Sequence, residues 1–153
     1  MHDDALRLHL ERVLPAPPDR VYALNTDAEL LAQWWGPDGF SVPSLHLDAR
    51  VGGLYRIEMQ PPEGDAFFLC GEYRTVEPGT RLAYTFRWEP PDPQDQETVV
   101  ELSLEALDHE STVLRIDQGD FATEERRALH VQGWSESIDH LAELFAREHP
   151  SAP

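Results

Sequence analysis

The chain has 153 residues, 41% of them hydrophobic and 27% charged, enough for one ordinary domain with a core of its own. It carries 29 acidic residues against 12 basic ones, a net charge of −17, and every base is arginine. A surface this acidic repels phosphate backbones and anionic lipids, so neither nucleic acid nor membrane is expected as a partner. The single cysteine, Cys70, allows no internal disulfide. The start, Met1-His2-Asp3-Asp4, lacks the basic and apolar regions of a signal peptide. No run approaches the roughly 18 apolar residues of a membrane span. One soluble, cytoplasmic domain over residues 1–153 is therefore the expectation.

In chain order, Leu6, Leu8 and Leu10 alternate with Arg7, His9 and Glu11, the period of a half-buried strand over 5–13. Pro15, Pro17 and Pro18 end it, and a proline is tolerated in the first turn of a helix, here predicted over 18–24. Thr26-Asp27-Ala28-Glu29 matches a capping box with Thr26 as the cap. A second short helix then runs to about Trp34 and is broken by Gly36-Pro37-Asp38-Gly39.

From 44 to 118 the period is two. The inward sets are Leu45/Leu47/Ala49, Tyr55/Ile57/Met59, an aromatic-rich stretch over 66–76, Leu82/Tyr84/Phe86/Trp88, Val100/Leu102/Leu104 and Leu114/Ile116. Six strands with hairpin-length links predict an antiparallel sheet with one wet face. Pro90 to Gln96 reads as an acidic, proline-rich loop. The period then changes. Val131, Trp134, Ile138, Leu141 and Phe145 form one helical stripe, with Thr123 as N-cap and Pro150 as the stop, over about 123–148.

Only one long helix is available to cover seven strands. A helix is about 10 Å wide, and seven strands at nearly 5 Å each span far more. The sheet must curl around the helix, and space is expected between them. The fold class is therefore α+β, a curved seven-stranded antiparallel sheet gripping a C-terminal helix.

The residues also resemble a family. Ala16-Pro17-Pro18-Asp19-Arg20-Val21-Tyr22, Trp34-Trp35-Gly36-Pro37, the stretch from Asp48 through Gly52-Gly53 to Arg56, Gly71-Glu72-Tyr73, Pro78-Gly79-Thr80-Arg81-Leu82 and Gly133-Trp134 occur in family order along nearly the whole chain. It is similar to the activator of heat-shock-protein-90 ATPase homologues of the START-like, or helix-grip, superfamily. The resemblance implies the same fold. It leaves activity open among lipid and hormone binders, cyclases, resistance proteins that intercept a toxic small molecule, and co-chaperone domains. The eukaryotic co-chaperones carry an additional N-terminal domain that this chain lacks.

The candidate cavity residues are aromatic. Trp34 and Trp35 either anchor the short helices or gate a cavity, and one can serve each role. Trp134 is a core anchor or a wall that stacks on a flat ligand, and Gly133 beside it permits close backbone approach. His130, Ser137 and Ile138 fall near Trp134 on the helix, where a histidine and a serine can orient a ligand or simply be satisfied in the core. Tyr55, Met59, Phe68, Tyr73, Tyr84, Phe86 and Trp88 are the sheet-side candidates. Tyr73 is out of phase with Phe68 and Cys70, which a bulge would reconcile. Cys70 reads as a small core hydrophobe.

No catalytic residue, metal or cofactor is assigned. The seven histidines contain no i, i+4 pair, and Gly133-Trp134-Ser135-Glu136-Ser137 is not a nucleophile elbow. The leading expectation is a binder of a small apolar or aromatic molecule. The alternatives are a cavity enzyme of cyclase or hydrolase type, and a protein-interaction module with a chaperone as partner.

Overall fold

The computed structural model describes residues 6–148. The expected strand start at residue 5 and the stop at Pro150 lie outside them. The elements are β1 (Leu8–Leu14), α1 (Pro18–Thr26), α2 (Ala28–Leu31), β2 (Leu45–Leu47), β3 (Leu54–Met59), β4 (Phe67–Glu77), β5 (Arg81–Glu89), β6 (Thr98–Asp108), β7 (Ser111–Gly119) and α3 (Glu124–Glu148).

The strands form one antiparallel sheet in the order β1-β7-β6-β5-β4-β3-β2. Strands β2 to β7 follow one another as a meander, and β1 closes the order by pairing with β7, Leu10 opposite Ile116. The sheet curves around α3, as the mismatch between one helix and seven strands requires. On α3, Trp134, Ile138, Leu141 and Phe145 are buried and Val131 is half-buried. They share one core with Tyr55, Ile57 and Met59 of β3, Tyr84 and Phe86 of β5, and Ile116 of β7. Thr123 caps α3 as expected, its Oγ1 accepting from the Arg126 N–H at 3.0 Å.

Local expectations are corrected in two places. Thr26 is not the cap of α2. It is the last residue of α1, where its Oγ1 donates to the Tyr22 carbonyl at 2.9 Å. Asp27, with extended backbone at φ −111 and ψ 125, is the cap and accepts from the Leu30 N–H at 3.1 Å. Both residue types cap helices, so the side chains alone leave a one-residue ambiguity that the backbone resolves. α2 is also shorter than expected. After Leu31 the chain tightens, with Gln33 N–H bonding Leu30 O at 3.1 Å and Trp34 N–H bonding Leu31 O at 3.3 Å.

The second correction is the phase of β4. Its pairing keeps one register from Phe68 through Tyr73 and shifts only between Tyr73 and Thr75. Leu69, Gly71 and Tyr73 thus share the inner face, and Phe68 and Cys70 lie on the outer one. The irregularity comes after Tyr73, so it does not bring Phe68 inside. The Arg56 guanidinium instead covers the Phe68 ring, 3.6 Å from its centroid.

Gly71 has a steric reason. A Cβ there would lie 1.9 Å from the Thr85 carbonyl oxygen and 2.6 Å from Tyr55 Cε2. The ladder to β5 skips Gly71 and Glu72. In its place the Tyr55 hydroxyl donates to Thr85 O at 2.6 Å, and the Glu72 N–H donates to Thr85 Oγ1 at 2.9 Å. The glycine lets Tyr55 reach across its neighbouring strand.

Candidate functional site

A pocket with a cavity volume of about 110 Å³ opens between α3, the 35–37 segment and the sheet. The helix contributes Arg126, Leu129, His130, Gly133, Trp134 and Ser137, a run of three- and four-residue steps along one face. The sheet contributes Met59, Phe86 and Trp88, and the loop after α2 contributes Trp35, Gly36 and Pro37. Deeper in the grip, Trp35, Tyr55, Tyr73 and Tyr84 border a void of only about 10 Å³. The three tyrosines pack ring to ring, with centroids 5.3 to 5.8 Å apart. Aromatic side chains thus occupy the deeper part of the grip, and the larger opening lies outward of Trp35.

Of the thirteen sequence candidates, seven meet at this pocket: Trp35, Met59, Phe86, Trp88, His130, Trp134 and Ser137. Trp34, Tyr55, Tyr73, Tyr84 and Ile138 are buried in the core, and Phe68 is on the opposite face of the sheet.

The tryptophans divide by what their indole N–H meets. Trp34 is buried and donates to Leu24 O at 2.8 Å, which anchors the turn after α2. Trp134 donates to Gln118 Oε1 at 2.7 Å, and Gln118 passes the chain on to Thr98 Oγ1 at 2.8 Å, all three residues buried. Trp88 donates to Asp95 Oδ2 at 2.8 Å. Only Trp35 has an enclosed Nε1 with no partner, and its ring meets Trp134 edge-on at 5.3 Å. The loop that carries Trp35 is pinned to α3: Gly36 N–H donates to Ser137 Oγ at 3.1 Å, and Asp38 N–H donates to Glu136 Oε1 at 2.9 Å.

One corner of the pocket is polar, lined by Arg126 and His130, and a carboxylate stands behind it. Asp95, from the acidic loop between β5 and β6, folds back onto α3. Its Oδ2 accepts from Arg126 Nη2 at 2.9 Å and lies 2.9 Å from His130 Nε2. The Asp95 side chain is 2% exposed and that of His130 7%. Burial alone would raise the Asp95 carboxyl, but the His130, Trp88 and Arg126 hydrogen bonds outweigh it and hold it far below the usual carboxylate range. Arg126 lies four residues before His130, so the helical period does place those two on one face. Nothing local in Pro90 to Gln96 marks Asp95, because a loop's return to a helix is a tertiary event.

Cys70 sits on the outer face, between Arg56 of β3 and Arg87 of β5 in the cross-strand register. Burial is the largest influence on its thiol and raises its pKa. Among the described residues no group of three or more His, Cys, Asp or Glu side chains is placed to hold a metal. No helix among them is long and apolar enough to cross a membrane.

The family model of the Activator of Hsp90 ATPase homolog 1-like protein matches residues 15–146. The chain belongs to this family. Among solved structures, the AHSA1 protein SPO3351 of Silicibacter pomeroyi is 30% identical, with a TM-score of 0.82, 94% of this chain and 99% of that one being covered. Protein CV1439 of Chromobacterium violaceum is 32% identical, with a TM-score of 0.75 and coverage of 90% and 96%. DynU16, from the dynemicin biosynthetic locus, is 24% identical at a TM-score of 0.70, and this chain matches 48% of its length, a likeness of fold alone. No curated protein matches the chain. The AHSA1 chains carry the helix-grip fold of the START-like superfamily, the architecture described above.

Proposed function

We propose that this AHSA1-family protein binds a small apolar or aromatic molecule, about one ring in size, in the pocket between Trp35 and Trp134. The observation that carries this reading is the pocket's composition. Met59, Phe86, Trp88, Trp134 and Leu129 make an apolar wall, interrupted by Ser137 and by a polar corner at His130 and Arg126. Such a wall with a few convergent polar groups is the ordinary make-up of a ligand site. Size limits the occupant: a cavity of about 110 Å³ suits one ring and not a sterol or a long acyl chain. A ring burying about 100 Å² of apolar surface gains about 2.5 kcal/mol. The polar corner must therefore supply selectivity and part of the affinity.

Titration with benzyl alcohol, followed by tryptophan fluorescence, tests the proposal. A saturable change is expected in the wild type, with at least a tenfold weaker response in Gly133→Leu, whose side chain would enter the pocket. A response that stays linear up to the solubility limit would sink it.

A further inference from the structure

We infer that Trp35 sets the length of molecule this pocket accepts: its ring is a partition, and without the ring the site extends inward to take two aromatic rings in line. The inference rests on the reading of the pocket as a ligand site and adds the residue that limits the size of its occupant.

Two empty spaces lie along the grip. The outer one, of about 110 Å³, is the pocket described above. The inner one, of about 10 Å³, lies among Asn25, Leu31, Ile57, Tyr55, Tyr73 and Tyr84. Among the described residues Trp35 is the single one that borders both. Its ring is wedged between two others, edge-on to Trp34 at 5.7 Å and to Trp134 at 5.3 Å between centroids. Trp34 is fixed by its bond to Leu24 O, and Trp134 by its bond to Gln118 Oε1. Hydrogen bonds thus anchor the frame on either side.

The partition has no such anchor. The Trp35 Nε1 is enclosed and has no acceptor, whereas the other three tryptophans each have one. An enclosed N–H without a partner is destabilising, so no hydrogen bond accounts for an indole at this position. What the ring does is fill the space between the two cavities. An indole is two fused rings, and deleting it opens room for a further ring and joins that room to the inner void. The groups beyond it are hydrocarbon or already engaged. Leu31 and Ile57 carry no polar atom, the Tyr55 hydroxyl donates to Thr85 O at 2.6 Å, and Asn25 Nδ2 donates to Val21 O at 2.8 Å. An apolar ring lying against them breaks none of these bonds.

Benzyl alcohol, with one ring, and biphenyl-4-methanol, with two in line, are measured by equilibrium dialysis against the wild type, Trp35→Ala and Trp35→Val. The valine variant keeps an apolar side chain at the position if the alanine variant fails to fold. The wild type should bind benzyl alcohol saturably and reject biphenyl-4-methanol. Each folded variant should bind biphenyl-4-methanol at least about tenfold tighter than the wild type does, from the added apolar burial, and benzyl alcohol no tighter. In the variants, biphenyl-4-methanol should also shift the ring signals of Tyr55, Tyr73 and Tyr84, which a merely loosened fold would not single out. A wild type that binds both probes equally, or variants that keep the wild-type preference, overturn the partition while leaving the ligand site standing. Tighter binding in the variants with the three tyrosines unmoved overturns it as well. A wild type that binds neither probe saturably overturns the ligand site, and the partition with it.

Discussion

Asp95 and Arg126 join the loop before β6 to the first turn of α3, Oδ2 accepting from Nη2 at 2.9 Å with side chains 2% and 16% exposed. The same oxygen takes the Trp88 indole N–H at 2.8 Å. Removing the carboxylate leaves the Trp88 and His130 ring nitrogens without their partner, and the largely buried Arg126 with the longer 3.4 Å contact to Asp92. Asp95→Ala is expected to cost about 3 kcal/mol, read as a lower urea midpoint with an unchanged slope.

The acid dependence of the same group has a definite sign. The folded carboxyl titrates lower than an unfolded one, so the stability it lends is present at neutral pH. That stability is lost as pH falls below the ordinary Asp value of about 3.9 toward the folded value. The difference in urea midpoint between wild type and Asp95→Asn should therefore be constant from about pH 7 to about pH 5, and shrink below about pH 4. A difference that shrinks already between pH 7 and 5 would assign the linkage to another group.

Gly71 has no room for a side chain. Two of the contacts a Cβ would meet, Thr85 O at 1.9 Å and its carbonyl carbon at 2.7 Å, are backbone and cannot swing away. Gly71→Ala should destabilise by about 2–3 kcal/mol, measured as a fall in thermal midpoint, and should expel Tyr55 from its bond to Thr85. A Gly71→Ala protein as stable as wild type would refute the crossing of Tyr55 over β4.

Much of this architecture was legible in the residues. The two-residue period from Leu45 to Ile116 marks six strands, and the stripe from Trp134 to Phe145 marks the face of α3 that the sheet grips. The widths of one helix and seven strands lead to an expectation of space between them, but say nothing of where it would lie. Tyr55, Tyr73 and Tyr84 alternate in their strands just as Met59 and Phe86 do, and only packing decides which rings meet each other and which border a pocket. Phe68 misled because an aromatic on the outer face of β4 has the same composition as one inside, and Arg56 is what covers it. Asp95 was invisible for a different reason: its two charged or titratable partners, Arg126 and His130, lie 31 and 35 residues away on a helix.

Adjacent tryptophans should respond oppositely to the same change. Trp34→Phe loses a buried bond to Leu24 O and should cost about 1–2 kcal/mol. Trp35→Phe removes an enclosed N–H that has no partner, so its stability should stay within about 0.5 kcal/mol of wild type while aromatic binding weakens. Chemical denaturation of the two variants side by side decides this, and a larger loss at Trp35 would reverse their assigned roles.

Gly133 lies inside α3, where alanine is favoured by up to about 1 kcal/mol. The nearest atom to a Cβ there is Pro37 Cγ at 3.7 Å, an ordinary contact. The expected close backbone approach at this glycine is absent, and its place in the pocket wall is what remains. Gly133→Ala should raise the thermal midpoint and lower affinity for benzyl alcohol. A variant that is less stable than wild type would contradict this.

The ligand site has its sharpest readout in the indole N–H signals of the four tryptophans in a ¹H–¹⁵N spectrum, recorded with and without saturating benzyl alcohol. Trp35, Trp88 and Trp134 border the pocket and should shift together, while Trp34, bonded to Leu24 O in the core, stays in place. Four unmoved signals, or movement of Trp34 alone, would contradict a binding pocket between α3 and the Trp35 loop.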